Sequence, residues 1–359
     1  MSNSVGIGFI GTGFARKVQI PAFQRCEGAK IVSIASHKIE NARSTAEECG
    51  AEHFTDDWRE TVAHPDVDLV CITTPPDLHC EQTLFAIENG KHVLCEKPMA
   101  MNVAESEKMV AAARTSDKLM LIDHELRFQP GRQIAKQMIS DGRLGKIRNV
   151  KHIFQAPHRG GASLPWNWWS DANAGGGALG AIASHVIDGF RWLLDTEIAS
   201  ISCQLQSHIK QRSDSAGDIR EVTSDDETLM MLRLCPSKIS PDATGVVSIS
   251  MCEHPNYVSR CEVYGENGTL LIDHNGRLQF AAAGNDFSTI EVDLGETIDG
   301  LPDTGFARAF VSFAPEIVEA IRRDSKNIDG AATFDDGVKI QRVIDAARRS
   351  DANGIVVRL

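Results

Sequence analysis

In Lys91-His92-Val93-Leu94-Cys95-Glu96-Lys97-Pro98 a glutamate and a lysine directly follow an apolar run that reads as a buried strand. An ammonium delivered to the end of a strand can hold a reacting oxygen and stabilise the charge that develops on it. The same pair in a proline-terminated loop is otherwise a solvated surface feature, so its meaning depends on what precedes it. Further along, His185 lies in a stretch with helical spacing, where Ile182, Val186, Phe190 and Leu193 form an apolar face. A neutral imidazole can take or return a hydroxyl proton near neutral pH, although a helix histidine more often packs or caps. Asp188 can share its face as a polar neighbour or as a structural contact. Pro165 to Asp171 carries three of the five tryptophans. Trp168 and its neighbours either stack on a sugar or nicotinamide face or pin the loop to the core.

What precedes Lys97 reads as a nucleotide holder. Val5 to Ile10 is a short buried strand running into Gly11-Thr12-Gly13-Phe14-Ala15-Arg16, where a helix should begin. Gly11 permits the tight turn, Gly13 lets the backbone approach a pyrophosphate, and the amides at the helix start supply anion donors. Arg16 stands where the dinucleotide pattern has Gly or Ala, so the match is imperfect. Pro21 should bend or end that helix early, because it has no amide hydrogen. The second apolar run, Lys30 to Ala35, ends at Ser36-His37-Lys38, where an adenosine ribose would lie. A hydroxyl and a cation there, in place of a carboxylate, predict NADP over NAD, with Glu40 close enough to keep NAD open. Thr74, Pro75 and Pro76 close a further buried strand at a sheet's carboxyl edge, where ligands bind. His79, just beyond, is read as packing or capping, with a cofactor contact allowed.

Strands alternate with helices over the first third of the chain, from Val5 to Ile122, which specifies a doubly wound parallel sheet. From Ile198 onward short alternating runs lack intervening helices and predict an antiparallel sheet. Lys210 to Asp226 reads as a solvated loop, and Thr304 to Arg323 and Asp336 to Arg349 as closing helices. With 359 residues the chain exceeds one core, and the boundaries drawn are 1–125 and 126–359, the last helix being free to return to the first domain. A formal charge of −12 argues against nucleic acid or an anionic membrane surface as partner. Nine scattered cysteines without a CxxC pair suggest reduced thiols and no metal site. Met1 to Gly13 has no convincing signal-peptide pattern, and no apolar run is long enough to span a bilayer, so a cytoplasmic location is expected.

Taken together, the chain resembles the glucose-fructose oxidoreductase, inositol dehydrogenase and MocA (Gfo/Idh/MocA) family nearly end to end. The resemblance rests on the Gly11 to Ala15 turn, Thr74-Pro75-Pro76 with His79, Gly90 to Val93 leading to Glu96-Lys97-Pro98, and Arg127-Phe128 with Pro130. It continues in Gly175 to Leu179 leading to His185 and in Thr333-Phe334-Asp335-Asp336-Gly337. It implies a nicotinamide-dependent oxidoreductase of sugars, cyclitols or related polyols, with Lys97 at the reacting hydroxyl or carbonyl and His185 as acid or base. Glu96 would join the cofactor contacts, and Arg127, Trp168 and Asp188 the substrate contacts. The second domain would be an α+β fold around a large open-faced, mainly antiparallel sheet that commonly joins subunits, giving a homodimer or homotetramer. One departure stands out. Ala181 occupies the position, four residues before His185, where many family dehydrogenases carry an aspartate. It keeps a second reading alive, a catalytically silent cofactor-binding sensor or regulator, and the tryptophan loop alone suggests a third, reduction of an aldehyde or planar unsaturated ligand.

Overall fold

The computed structural model describes residues 4–161, 163–295 and 299–359. Residues 1–3, which begin the N-terminal stretch read above, lie outside the described residues. The chain divides into two compact units, Met1–Gln129 with Gly295–Val338, and Pro130–Leu294 with Lys339–Leu359. Residues 295–338, placed by sequence in the second domain, therefore belong to the first unit. The cause is the apolar face of the helix Gly305–Arg322. Its Phe310 meets Phe23 edge-on at 5.5 Å, and its Phe313 stacks on Phe128 at 4.2 Å.

The first unit holds six parallel strands, β1 Val5–Ile10, β2 Ala29–Ala35, β3 His53–Thr55, β4 Leu69–Ile72, β5 His92–Cys95 and β6 Met120–Ile122, in the order β3-β2-β1-β4-β5-β6. β1, β4, β5 and β6 are buried along their whole length, as strands covered on both faces must be. Helices between them start on the residues expected. Asn102 caps Val103–Ala113 by accepting from the Glu105 amide at 3.0 Å, and Asp57 caps Trp58–Ala63. The helix after β1 is the exception. It opens as a π turn, Ala15–Gln19, whose Ile20 amide bonds back to Ala15, and then runs only to Phe23. Pro21 has no hydrogen to donate to the Lys17 carbonyl one turn back, so the ladder is interrupted where the sequence said it would be.

The second unit is built on nine strands: β7 Ile147–Gln155, β8 Ile198–Gln206, β11 Glu227–Leu234, β12 Thr244–Ser250, β13 Val258–Gly265, β14 Gly268–Asp273, β15 Leu278–Ala282, β16 Ser288–Ile290 and β17 Val357–Arg358, with a separate pair, β9 Gln211–Ser213 and β10 Ile219–Glu221. All neighbours run antiparallel except β12 and β7. One face is packed by the helices Pro130–Ser140 and Ser184–Leu194. On the other face Met231 is 64% exposed and pairs across the strands with Val246, 44% exposed. The stretch Lys210 to Asp226, read as a solvated loop, is instead anchored by the β9–β10 hairpin. Arg212, only 3% exposed, donates to the Gly161 carbonyl at 2.6 Å and to that of Arg159. A cationic side chain made the segment look solvated, and its hydrogen bonds to loop carbonyls explain why it is not. Among the described residues no helix is long and apolar enough to cross a membrane, and no group of three His, Cys, Asp or Glu side chains could hold a metal.

Candidate cofactor and catalytic residues

The glycine turn has two glycines for two reasons. Gly11 sits at φ +97°, and a Cβ there would lie 2.6 Å from the Thr73 carbonyl oxygen, so both backbone shape and close approach require glycine. Gly13 is different, because a Cβ there would meet nothing within 4 Å. The protein itself leaves that space open, which fits a pyrophosphate approaching the amides of Gly13, Phe14 and Ala15. Thr12 lies half-buried between the two glycines. Arg16, the departure from the pattern, is turned to the neighbouring helix, where its guanidinium pairs with Glu48. The Gly11 amide donates to the Ala35 carbonyl at 2.9 Å, which brings the end of β2 against the turn. Ser36 follows half-buried, and Lys38 is exposed at the start of the helix Ile39–Cys49.

At the end of β4, Thr74 donates its hydroxyl to Gln82 Oε1 at 2.7 Å, while Pro75 precedes a short turn into the helix His79–Glu88. His79 is fully buried, with Nε2 2.9 Å from the Thr74 carbonyl and Nδ1 3.0 Å from the Pro98 carbonyl. Burial lowers its pKa to about 4, against the two carbonyl contacts, which raise it, and the ring ties the β4 exit to the segment that carries Lys97. Lys97 itself is half-buried, one residue beyond Glu96 at the carboxyl end of β5. Arg127 is 6% exposed and is directed within its own unit, 3.4 Å from Asp336 and from the Gly330 carbonyl. Two of the sequence pieces that carried the resemblance thus touch each other.

Sequence reading missed two members of this edge. Asp123, fully buried just past β6, and Gln19, buried in the π turn, both reach Glu96. Asp123 occupies on β6 the place Glu96 occupies on β5, a signal that was available. Gln19 had none, since its direction depends on the widened turn.

In the second unit His185 and Asp188 are both buried on the helix Ser184–Leu194. A π turn, Leu179–Ala183, precedes that helix and contains Ala181, itself buried. The turn is held by a residue that no local pattern announces. Asp225 Oδ2 accepts from the Leu179 amide at 2.8 Å and from the Thr228 hydroxyl at 2.8 Å. Gly177, at φ +116°, gives it room, for a Cβ there would lie 2.1 Å from Asp225 Oδ1. Burial raises the Asp225 pKa to about 6, against the opposing effect of those two donors. In the tryptophan loop, Trp166 donates to the Glu221 carbonyl at 2.9 Å and Trp169 packs against the core. Trp168 is half-buried and leans on Trp169 at 5.6 Å. The loop is thus pinned by two of its three indoles.

Comparison with known proteins agrees with this geometry. Residues 5–124 match the oxidoreductase family with an NAD-binding Rossmann fold, and residues 133–271 match the GFO/IDH/MocA C-terminal domain. A glucose-fructose oxidoreductase domain-containing protein 2 from Xenopus laevis is 31% identical, over 97% of this chain and 92% of its own. Levoglucosan dehydrogenase from Pseudarthrobacter phenanthrenivorans is 29% identical, over 97% of this chain and 96% of its own. A solved structure of levoglucosan dehydrogenase in complex with NADH and L-sorbose superimposes with a TM-score of 0.88 at 26% identity, covering 99% of this chain and 98% of that one.

Proposed function

We propose, for a chain that belongs to the GFO/IDH/MocA family of NAD-binding oxidoreductases, that it transfers a hydride between a nicotinamide and a hydroxyl or carbonyl carbon of a sugar, cyclitol or related polyol. The observation that carries this reading is the placement of Lys97. It leaves a parallel sheet at the carboxyl edge, half-buried, in the unit whose glycine turn keeps space open beside Gly13. The dinucleotide would be held by Gly11 to Ala15, Ser36, Lys38, Thr74, Pro75 and Glu96, and it supplies the hydride acceptor or donor when bound. Lys97 would hydrogen-bond the reacting oxygen and stabilise negative charge on it. His185 would accept the hydroxyl proton in oxidation and return it in reduction. Asp188 and Trp168 would contact substrate, while His79 and Arg127 hold loops of the first unit. Levoglucosan and L-sorbose, named with the relatives, are the first substrates to try.

Ser36 and Lys38 at the end of β2, with no carboxylate among residues 36 to 38, support NADP as the preferred nucleotide. The relative's complex contains NADH, so the comparison of KM for NADPH and NADH decides, and a clear advantage for NADH overturns the preference. The apolar outer patch of Leu229, Met231 and Val246 supports a homodimer or homotetramer joined through the open sheet face. Nine free cysteines, four of them buried, support a reducing, cytoplasmic setting.

A panel of anhydro-sugars, keto-sugars and inositols, followed at the absorbance of the reduced nicotinamide, tests the reading. Turnover of any member supports it. Nucleotide binding with no turnover of any favours the second reading, a silent sensor, which the buried alanine at 181 keeps open.

A further inference from the structure

The edge that carries Lys97 holds more buried acid than ordinary ionisation allows. Glu96 and Asp123 leave neighbouring strands one residue beyond the paired Cys95 and Ile122, and both are buried. Gln19 Nε2 reaches an oxygen of each, which sets the two carboxyl groups side by side. Two buried carboxylates held side by side repel each other, so such a pair favours one shared proton over two full charges. Gln19 clamps the pair from the π turn, its Nε2 donating to Glu96 Oε1 at 3.0 Å and to Asp123 Oδ2 at 2.7 Å. Among the described residues, the charged and titratable groups facing the pair include Lys97 beyond β5, Glu125 beyond β6, and the buried thiols of Cys71 on β4 and Cys95 on β5. Lys97 is the one cation in that set. It acts on Glu96, and its backbone amide also donates to Glu96 Oε2 at 3.4 Å. Asp123 instead faces the carboxyl of Glu125.

Resting on the role proposed for Lys97, we infer that Glu96 and Asp123 form a one-proton pair that positions this lysine: Asp123 donates its hydrogen to Glu96, and Glu96 presents the single remaining negative charge to the ammonium. Burial raises both pKa values, and Asp123 rises well above the ordinary carboxylate range, first by desolvation and then by the charges of Glu125 and Glu96. The division of labour follows from surroundings, since the carboxyl nearer the cation keeps the charge. A neutral, bidentate glutamine suits the clamp because a lysine in its place would ionise both acids and split the attraction on Lys97.

Infrared difference spectroscopy of the purified full chain at neutral pH, wild type against Asp123→Asn, reads the proton without any substrate. A carboxylic-acid C=O band present in wild type and missing in the variant supports the pair, and identical spectra overturn it. If Asp123→Asn fails to fold, Gln19→Leu serves instead, with a shift of the same band expected and an unmoved band counting against the clamp. In turnover, Glu96→Gln should lower kcat about tenfold with KM for the sugar little changed. Asp123→Asn, which keeps a donor to Glu96, should retain more kcat than Asp123→Ala. Wild-type kcat in Glu96→Gln would overturn the positioning role even with the band present. Should the protein turn over nothing, the band still reports the shared proton, so failure of this inference and failure of the proposed activity remain distinguishable.

Discussion

Two helices of this molecule open with a π turn, Ala15–Gln19 in the first unit and Leu179–Ala183 in the second, and they are held by opposite means. The first has local punctuation and reaches outward through one of its own side chains. A glycine turn precedes it, a proline interrupts it, and Gln19 reaches residues delivered by strand ends of the same sheet. The second is fixed from 46 residues away, by an aspartate whose only sequence neighbourhood is a polar loop. The parallel sheet places chemistry by register, so residues one step past paired positions must meet. The antiparallel unit has no such edge. There a buried carboxylate from the far end of a hairpin segment sets the start of the helix that carries His185.

The largest effect should come from the local side of this comparison. Lys97→Met is expected to lower kcat about 10³-fold while leaving nucleotide affinity, measured by fluorescence titration, unchanged. Undiminished turnover would remove Lys97 from the chemistry.

Next comes the distant anchor. Asp225→Ala should destabilise the fold by about 3 kcal/mol in denaturant melts, because two donors lose their acceptor. Asp225→Asn should act differently, since one side-chain oxygen can still accept from both Leu179 and Thr228. The native pKa of about 6 lies above the ordinary value of 3.8, so the protonated form is favoured on folding. That contribution is complete below the ordinary value and is lost as pH rises through about 6. The Asn variant should therefore be more stable than wild type above that range and should lose the slope within it. Parallel stability curves for the two proteins would contradict the burial argument.

His185→Asn is expected to reduce kcat about 10²-fold and to remove an ionisation from its pH profile. If the profile keeps its shape, the histidine is packing alone. Smallest is Gly13→Val, which should weaken nucleotide binding about tenfold without lowering the melting temperature, because no protein atom occupies the space its side chain enters. A loss of stability equal to the loss of binding would mean that the turn, and not a ligand, needs that glycine.

The same contrast explains what the sequence disclosed. β1 to β6, the Asn102 cap and the interruption at Pro21 were legible because hydrophobic period, capping and a missing amide act within a few residues. The long strands of the second sheet were legible for the same reason, their alternation being written along each strand. The β9–β10 hairpin was not, since its anchor is a buried arginine hydrogen-bonded to carbonyls some fifty positions earlier. Nor was Asp225, whose role depends on a glycine 48 positions earlier having room for it. The cofactor candidates and Lys97 came from motifs placed at strand ends and His185 from a helix, whereas Gln19 emerged only with the widened turn, and Asp123 from a strand-end position that matches that of Glu96.

The central claim is that this chain moves a hydride between a nicotinamide and a carbon of a sugar-like molecule. Its most direct measurement uses reduced nucleotide carrying deuterium at the transferable C4 position, incubated with the purified protein and a panel of keto-sugars, with products read by mass spectrometry. One deuterium on the newly formed carbinol carbon is the predicted result, lost in Lys97→Met. A protein that binds the nucleotide yet leaves the label on it with every sugar offered would contradict the account.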